Sequence, residues 1–207
     1  MAGMDRDSLV ADLKASLHDS AAVFRSPYDG DFDRFLGAAL LDMQVKRPRT
    51  RMGAVMLVAG VNRYAVVEPD FVALKTDAWR DTARLPKPWA EGFPGALPRF
   101  SCSAYAQGAW IDLDPAPTAE MLTAMGAECR FWYFAKHQIG KTDAECTVRE
   151  IDRPLLLLRA QAEAMREAAA RNVTKPVQLR DGLSGTPRNS TPIALYKDLL
   201  AAFWSAR

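Results

Sequence analysis

The stretch Asp152-Arg-Pro-Leu-Leu-Leu-Leu-Arg-Ala-Gln-Ala-Glu-Ala-Met-Arg-Glu-Ala-Ala-Ala-Arg171 constrains this chain most. It is dense in strong helix formers and contains no glycine. Its one proline falls in the first turn, where a missing N–H costs nothing, and Asp152 before it makes a good helix start. Leu155, Leu158, Ala162, Met165 and Ala169 trace one face, and Leu156, Leu157 and the small alanines widen it. A stripe that broad predicts contact with more than one neighbour, so the rest of the chain has to supply them.

Two segments near the N-terminus fit that need. Asp5 to Ser20 places Leu9, Leu13 and Leu17 four residues apart, with Val10 alongside, giving an amphipathic helix. Ser26-Pro27-Tyr28-Asp29-Gly30-Asp31 is turn chemistry, and Asp31 can cap a second helix carrying Phe32, Phe35, Leu36, Ala39, Leu40 and Met43 and ending before Pro48. At the other end, Thr191-Pro192 opens a helix with Ile193, Leu195, Tyr196, Leu199, Leu200, Phe203 and Trp204. Asn172 to Thr191 has no apolar period and reads as an extended linker.

Between Arg49 and His137 the period changes. Met52–Ala59 and Arg63–Val67 read as two strands joined at Gly60-Val61-Asn62, and Glu68-Pro69-Asp70 ends the second. Leu85 to Pro98 holds Pro86, Pro88, Pro94 and Pro98 and reads as loop. Phe100–Ala106 and Ala109–Leu113 form a second hairpin about Gln107-Gly108, Thr118 caps a short helical turn to Met125, and Cys129–Lys136 has strand composition, with a buried helix as the alternative. The predicted fold class is therefore α+β: mainly an α-helical bundle with a β-rich insertion and an extended C-terminal arm ending in a helix. The predicted divisions are 1–48, N-terminal helices of the bundle; 49–137, the β-rich insertion; 138–172, the bundle helix; and 173–207, linker and docking helix.

Composition narrows the function classes. Lysine plus arginine is 27 against 25 for aspartate plus glutamate, a net charge of +2, so no global field drives binding to nucleic acid or membrane. Lys46, Arg47, Arg49 and Arg51 form a local basic cluster that fits a subunit or DNA contact. Together with Phe131-Trp132-Tyr133-Phe134 it supports an alternative reading, a nucleic-acid-binding module. No segment reads as a signal peptide or membrane span, which predicts a soluble cytosolic product. Cys102, Cys129 and Cys146 are too widely spaced for a metal knuckle and read as buried thiols.

Catalytic machinery is not expected. His18 and His137 read as a helix-end and an edge histidine, and Asp112 and Asp114, on one face of a strand, as a solvated edge. Nucleophile-elbow, zinc, phosphate-loop and calcium-loop motifs are all missing, so the prediction is no enzyme, no cofactor and no metal. The remaining signal is the last helix. Leu195, Tyr196, Leu199, Phe203 and Trp204 must bury somewhere, either in a partner's groove or back on the chain's own bundle.

The order of these elements resembles the head-to-tail adaptor, or connector, proteins of tailed bacteriophages. The resemblance lies in Arg6-Asp-Ser-Leu-Val-Ala-Asp-Leu-Lys-Ala-Ser-Leu-His-Asp19, in Phe32-Asp-Arg-Phe-Leu-Gly-Ala-Ala-Leu-Leu-Asp42 with Arg47-Pro48-Arg49, in Ile111-Asp-Leu-Asp-Pro-Ala-Pro-Thr118, and in Asp152 to Arg166. It implies a ring-forming helical bundle, commonly of twelve copies, beneath the portal vertex of the virion neck. Such a ring extends the DNA channel and offers a platform to a tail or stopper protein. It also implies a C-terminal segment that docks on the portal protein, DNA that passes without sequence-specific binding, no membrane, and assembly in the host bacterial cytoplasm.

Overall fold

The structure, a computed structural model, describes residues 3–18, 21, 24, 30–79, 87–91, 93–105, 108–171 and 191–207. In chain order these form α1 (Arg6–Leu17), α2 (Gly30–Lys46), β1 (Arg49–Met56), β2 (Arg63–Ala65), β3 (Phe71–Asp77), β4 (Arg99–Tyr105), β5 (Gly108–Asp114), α3 (Ala119–Met125), β6 (Glu128–Ala135), α4 (Arg153–Arg171) and α5 (Pro192–Ser205). They fall into two compact units, Met1–Arg47 with His137–Arg207, and Pro48–Lys136.

The first unit is helical. Asp5 caps α1 by accepting the Ser8 N–H at 2.9 Å, and His18 ends it with a positive φ of 48°. The second helix starts at Gly30, so Asp31 lies inside its first turn and does not cap it. The long helix α4 packs against α1, α2 and α5. Leu9, Leu13, Phe35, Ala39, Met43, Leu156, Ala160, Ala164 and Phe203 are each at most 1% exposed and form the centre of the core.

The face predicted for α4 needs revision. Leu156 is fully buried, whereas Leu155 and Leu158 are only partly covered. Burial extends to charged residues: Arg159 donates to Asp42 at 2.5 Å and to Glu163 at 3.1 Å, and Arg153 reaches Asp12, Ser8 Oγ at 3.1 Å and the Gly3 carbonyl at 3.2 Å. A helix enclosed by three neighbours buries more than one stripe, and its arginines enter the interior because each finds carboxylate partners there.

The second unit holds two three-stranded antiparallel sheets, ordered β1-β6-β3 and β2-β5-β4. The central strand β6 pairs residue by residue with β1, from Arg49 opposite Ala135 to Met56 opposite Glu128. One of its faces, Cys129, Phe131, Tyr133 and Ala135, is buried. Gly53 is required there: a Cβ would lie 2.5 Å from Glu68 Oε1 and 2.7 Å from the Phe131 ring. Thr118 caps α3 by accepting the Met121 N–H at 3.3 Å, and Trp79 donates to the Gly126 carbonyl at 2.9 Å.

Several expectations change. The segment read as Cys129–Lys136 forms the strand Glu128–Ala135, which removes the helical alternative. The hairpin expected about Gly60-Val61-Asn62 does not form, because β1 and β2 belong to different sheets and β1 pairs with the distant β6. Phe71–Asp77 is a strand the sequence reading did not identify. Most importantly, the fold is mixed α+β and not mainly a helical bundle with an elaboration: among the described residues five α-helices stand beside two sheets. The sheets enclose a core of their own, with Trp79, Ile111, Leu113, Met121, Phe131 and Tyr133 each at most 3% exposed. The arm at 172–190, the turn at 25–29 and part of the proline-rich loop lie outside the described residues.

Candidate interaction surface

The last helix splits the apolar load that singled it out. Thr191 caps it by accepting the Ala194 N–H at 3.3 Å, and Pro192 occupies its first turn. Tyr196, Leu199 and Phe203, spaced three and four apart, turn toward the helical core, and Phe203 is 0% exposed. Leu195 and Trp204 flank this stripe on its two sides, at 43% and 45% exposure, Leu195 in an open pocket with Leu17, Met165 and Leu199, and Trp204 on the side of Ile193 at 46%. The end of the helix is pinned by Lys46, whose Nζ donates to the Trp204 carbonyl at 2.6 Å and stands 5.8 Å from the Phe203 ring centre. The structure thus divides the five predicted docking residues into three that anchor α5 to its own unit and two that stand half-exposed on its flanks.

Next to the end of α5 lies an open groove of about 460 Å³, lined by Ile151, Pro154, Leu155, Leu158 and Ala206 together with Arg47, Arg149 and Arg207. Ile151 is 79% exposed at its mouth. Sequence reasoning missed it because no periodic pattern marks a lone isoleucine in a short 3₁₀ turn.

The basic cluster is divided between the units, and each of its cations has a partner within the chain. Arg47 donates from Nε to Asp152 at 3.2 Å. Arg49 and Arg51 converge on Asp70 Oδ2 at 3.3 and 2.8 Å, and Tyr133 donates to the other Asp70 oxygen at 2.8 Å. Burial alone would raise the Asp70 pKa, but hydrogen bonds from Arg51 and Tyr133, with the Arg51 and Arg49 charges, hold it below the ordinary carboxylate value. The same burial, joined by the Asp70 carboxylate, pushes the Tyr133 hydroxyl up to about 12. These arginines lock β1 to the turn before β3 and do not form an open phosphate-binding face.

Of the residues considered for chemistry, His18 is exposed at the end of α1 and Asp114 is exposed at the end of β5, whereas His137 and Asp112 are engaged. His137 Nε2 lies 2.7 Å from the Arg47 carbonyl and Nδ1 lies 3.3 Å from Thr147 Oγ1, so the ring closes the helical unit where the chain leaves and re-enters it. Asp112 accepts from Ser103 at 2.5 Å and Arg63 at 2.6 Å, and these two bonds lower its pKa. Burial, with the nearby Asp77 charge, pushes the Cys129 thiol up to about 12, far from a thiolate. Cys146 is partly buried, whereas Cys102 is exposed. Among the described residues no three histidine, cysteine or acidic side chains gather to hold a metal, and no helix is long and apolar enough to cross a membrane.

No family model and no curated protein matches the chain. Among solved structures it is similar to a chain from the neck of an empty GTA particle, computed with C6 symmetry. The identity is 14%, the match covers 92% of this chain and 87% of that one, and the TM-score is 0.29. At those values the likeness decides neither the fold nor the partners of this protein.

Proposed function

We propose that the protein is a structural subunit of a virion neck, a head-to-tail adaptor that forms a ring, of twelve copies as in the adaptors it resembles, beneath the portal. In this role it extends the DNA channel, joins head to tail components and performs no chemistry of its own. The observation that carries the reading is the pair of half-exposed apolar flanks along α5. Ile193 and Trp204 on one flank and Leu195 on the other are each about half-exposed, on a helix anchored between them by Phe203 and at its end by Lys46. A rigidly held helix with a half-exposed tryptophan is a docking element, since aromatic anchors dominate interface energetics and pre-ordering lowers the entropy cost of binding. The portal is the partner, and the groove lined by Ile151 and Leu158 continues the contact. The engaged His137 ring and the raised Cys129 pKa support a role without catalysis.

The nucleic-acid alternative is weaker because Arg47, Arg49 and Arg51 face carboxylates and Lys46 a carbonyl, so releasing them for phosphate would break contacts within the chain. Co-sedimentation with purified portal rings tests the adaptor reading. Wild-type protein should pellet with portal, and the double variant Leu195→Glu/Trp204→Ala should stay in the supernatant while keeping the wild-type circular dichroism spectrum. Equal pelleting of the two, or no pelleting of wild type, contradicts the proposal.

A further inference from the structure

Two other apolar faces lie uncovered, one in each unit. On α2, Leu41 and Val45 are 64% and 72% exposed and stand one turn apart, continuing a line through Gly37, where a side chain would meet nothing within 4 Å. Asp33, one turn back along that line, is paired with Arg6 at 2.7 Å, and Asp42, beside Leu41, is held by Arg159. In the other unit, the central strand β6 is apolar on its inner face and over the second half of its outer face, the first half of which carries the Glu128–Arg130 ion pair at 3.2 Å. Its buried face is the sheet core, while Trp132 and Phe134 point the opposite way with their cross-strand partners Met52 and Thr50, and Met56 lies on the same face. Met52, Met56 and Trp132 are 49%, 65% and 38% exposed, and Phe134 is half-buried with the Lys75 ammonium 5.7 Å above its ring.

We infer that the outer face of the β1-β6-β3 sheet of one copy receives the Gly37–Leu41–Val45 stripe of α2 from a second copy. This deepens the ring proposed above and rests on it. The area argument favours a copy as occupant. At roughly 200 Å² for a fully exposed large apolar side chain, the exposed fractions of Leu41, Val45, Met52, Met56 and Trp132 come to about 600 Å². A specific interface buries about 1,600 Å² in total, somewhat more than half of it apolar, so the two faces together supply most of the apolar core such a contact needs. One copy's sheet face supplies about 300 Å² and its helix stripe about 270 Å², so each needs a second apolar face to cover it. Their shapes also fit, since a helix ridge interrupted by a glycine leaves room for the Trp132 ring, and the charges bordering the sheet face are engaged, Arg130 with Glu128 at 3.2 Å and the Lys75 ammonium over the Phe134 ring. Because the patches differ, each copy donates one and accepts one. A contact of this head-to-tail kind propagates and closes into a ring, whereas self-pairing of either face would stop at two copies and leave the other face wet.

Complementation between single-patch variants tests the inference without portal. Leu41→Glu blocks the donating face and Trp132→Ser/Met56→Glu the accepting one, and these positions are exposed, so both proteins should fold. Sedimentation velocity should show wild type as multimers, each variant alone as one copy, and an equimolar mixture as a dimer that grows no further because one intact interface remains. The inference is overturned if wild type is a monomer at every concentration, if either variant still assembles like wild type, or if the mixture stays monomeric. It is equally overturned if Trp132→Ser/Met56→Glu leaves the mass unchanged and instead abolishes binding to a single-stranded oligonucleotide. Since Leu195 and Trp204 are intact in both variants, failure of this contact and failure of portal docking are read separately.

Discussion

Phe203→Ala separates the two roles assigned to α5. The ring is 0% exposed, packs edge-on to Trp204 at 5.0 Å and lies beneath the Lys46 ammonium. Removing it forfeits roughly 2 to 3 kcal/mol of apolar transfer. It also leaves a void on the order of 100 Å³, which at about 24 cal/mol per Å³ adds about 2 kcal/mol if the site does not collapse. The expected loss is therefore about 4 kcal/mol, a large part of the roughly 5 to 15 kcal/mol that holds a typical domain together. Trp204→Ala, at 45% exposure, should cost less than half as much. Urea titration followed by circular dichroism at 222 nm measures both, and hydrogen exchange of the α5 amides shows where the loss falls. A loss below about 1 kcal/mol for Phe203→Ala, or equal losses for the two variants, would refute the placement of α5 in the core.

Other substitutions probe the rest of the framework. Leu156→Ala should destabilise the helical unit by about 2 to 5 kcal/mol, while Leu158→Ala should cost clearly less, which thermal melts would show. Gly53→Ala should destabilise the sheet unit by about 1 to 3 kcal/mol, because the new methyl overlaps Glu68 and Phe131; near-UV circular dichroism reports it. Asp70 has a folded-state pKa below its unfolded value, so its contribution is fully present above about pH 4 and is lost as the pH falls through the folded pKa. Acid titration of Asp70→Asn should lack that part of the wild-type curve, and an unchanged curve would contradict the assignment.

The helices were legible because their signals are local. Thr118 caps and Thr191-Pro192 opens a helix where the sequence predicts, and the spacing of Leu9, Leu13 and Leu17 translates directly into burial. The long helix was legible as a helix but not in its facing, since the burial of Arg159 and Glu163 depends on Asp42, a partner far away in sequence. Sheet pairing was less legible for the same reason. The hairpin of β4 and β5 follows from adjacency, but the pairings of β1 and β3 with β6 depend on chain closure that no short pattern records. Of the five docking residues, periodicity identified a helix rich in apolar side chains, and only the packing of Phe203 against α2 and α4 decides which of them are left for a partner.

Electron microscopy of purified portal rings incubated with the full chain tests the central claim most directly. The account predicts an added ring of density, coaxial with the channel on one face of the portal, absent when the Leu195→Glu/Trp204→Ala variant replaces wild type. Bare portals beside a monomeric wild-type protein would contradict it.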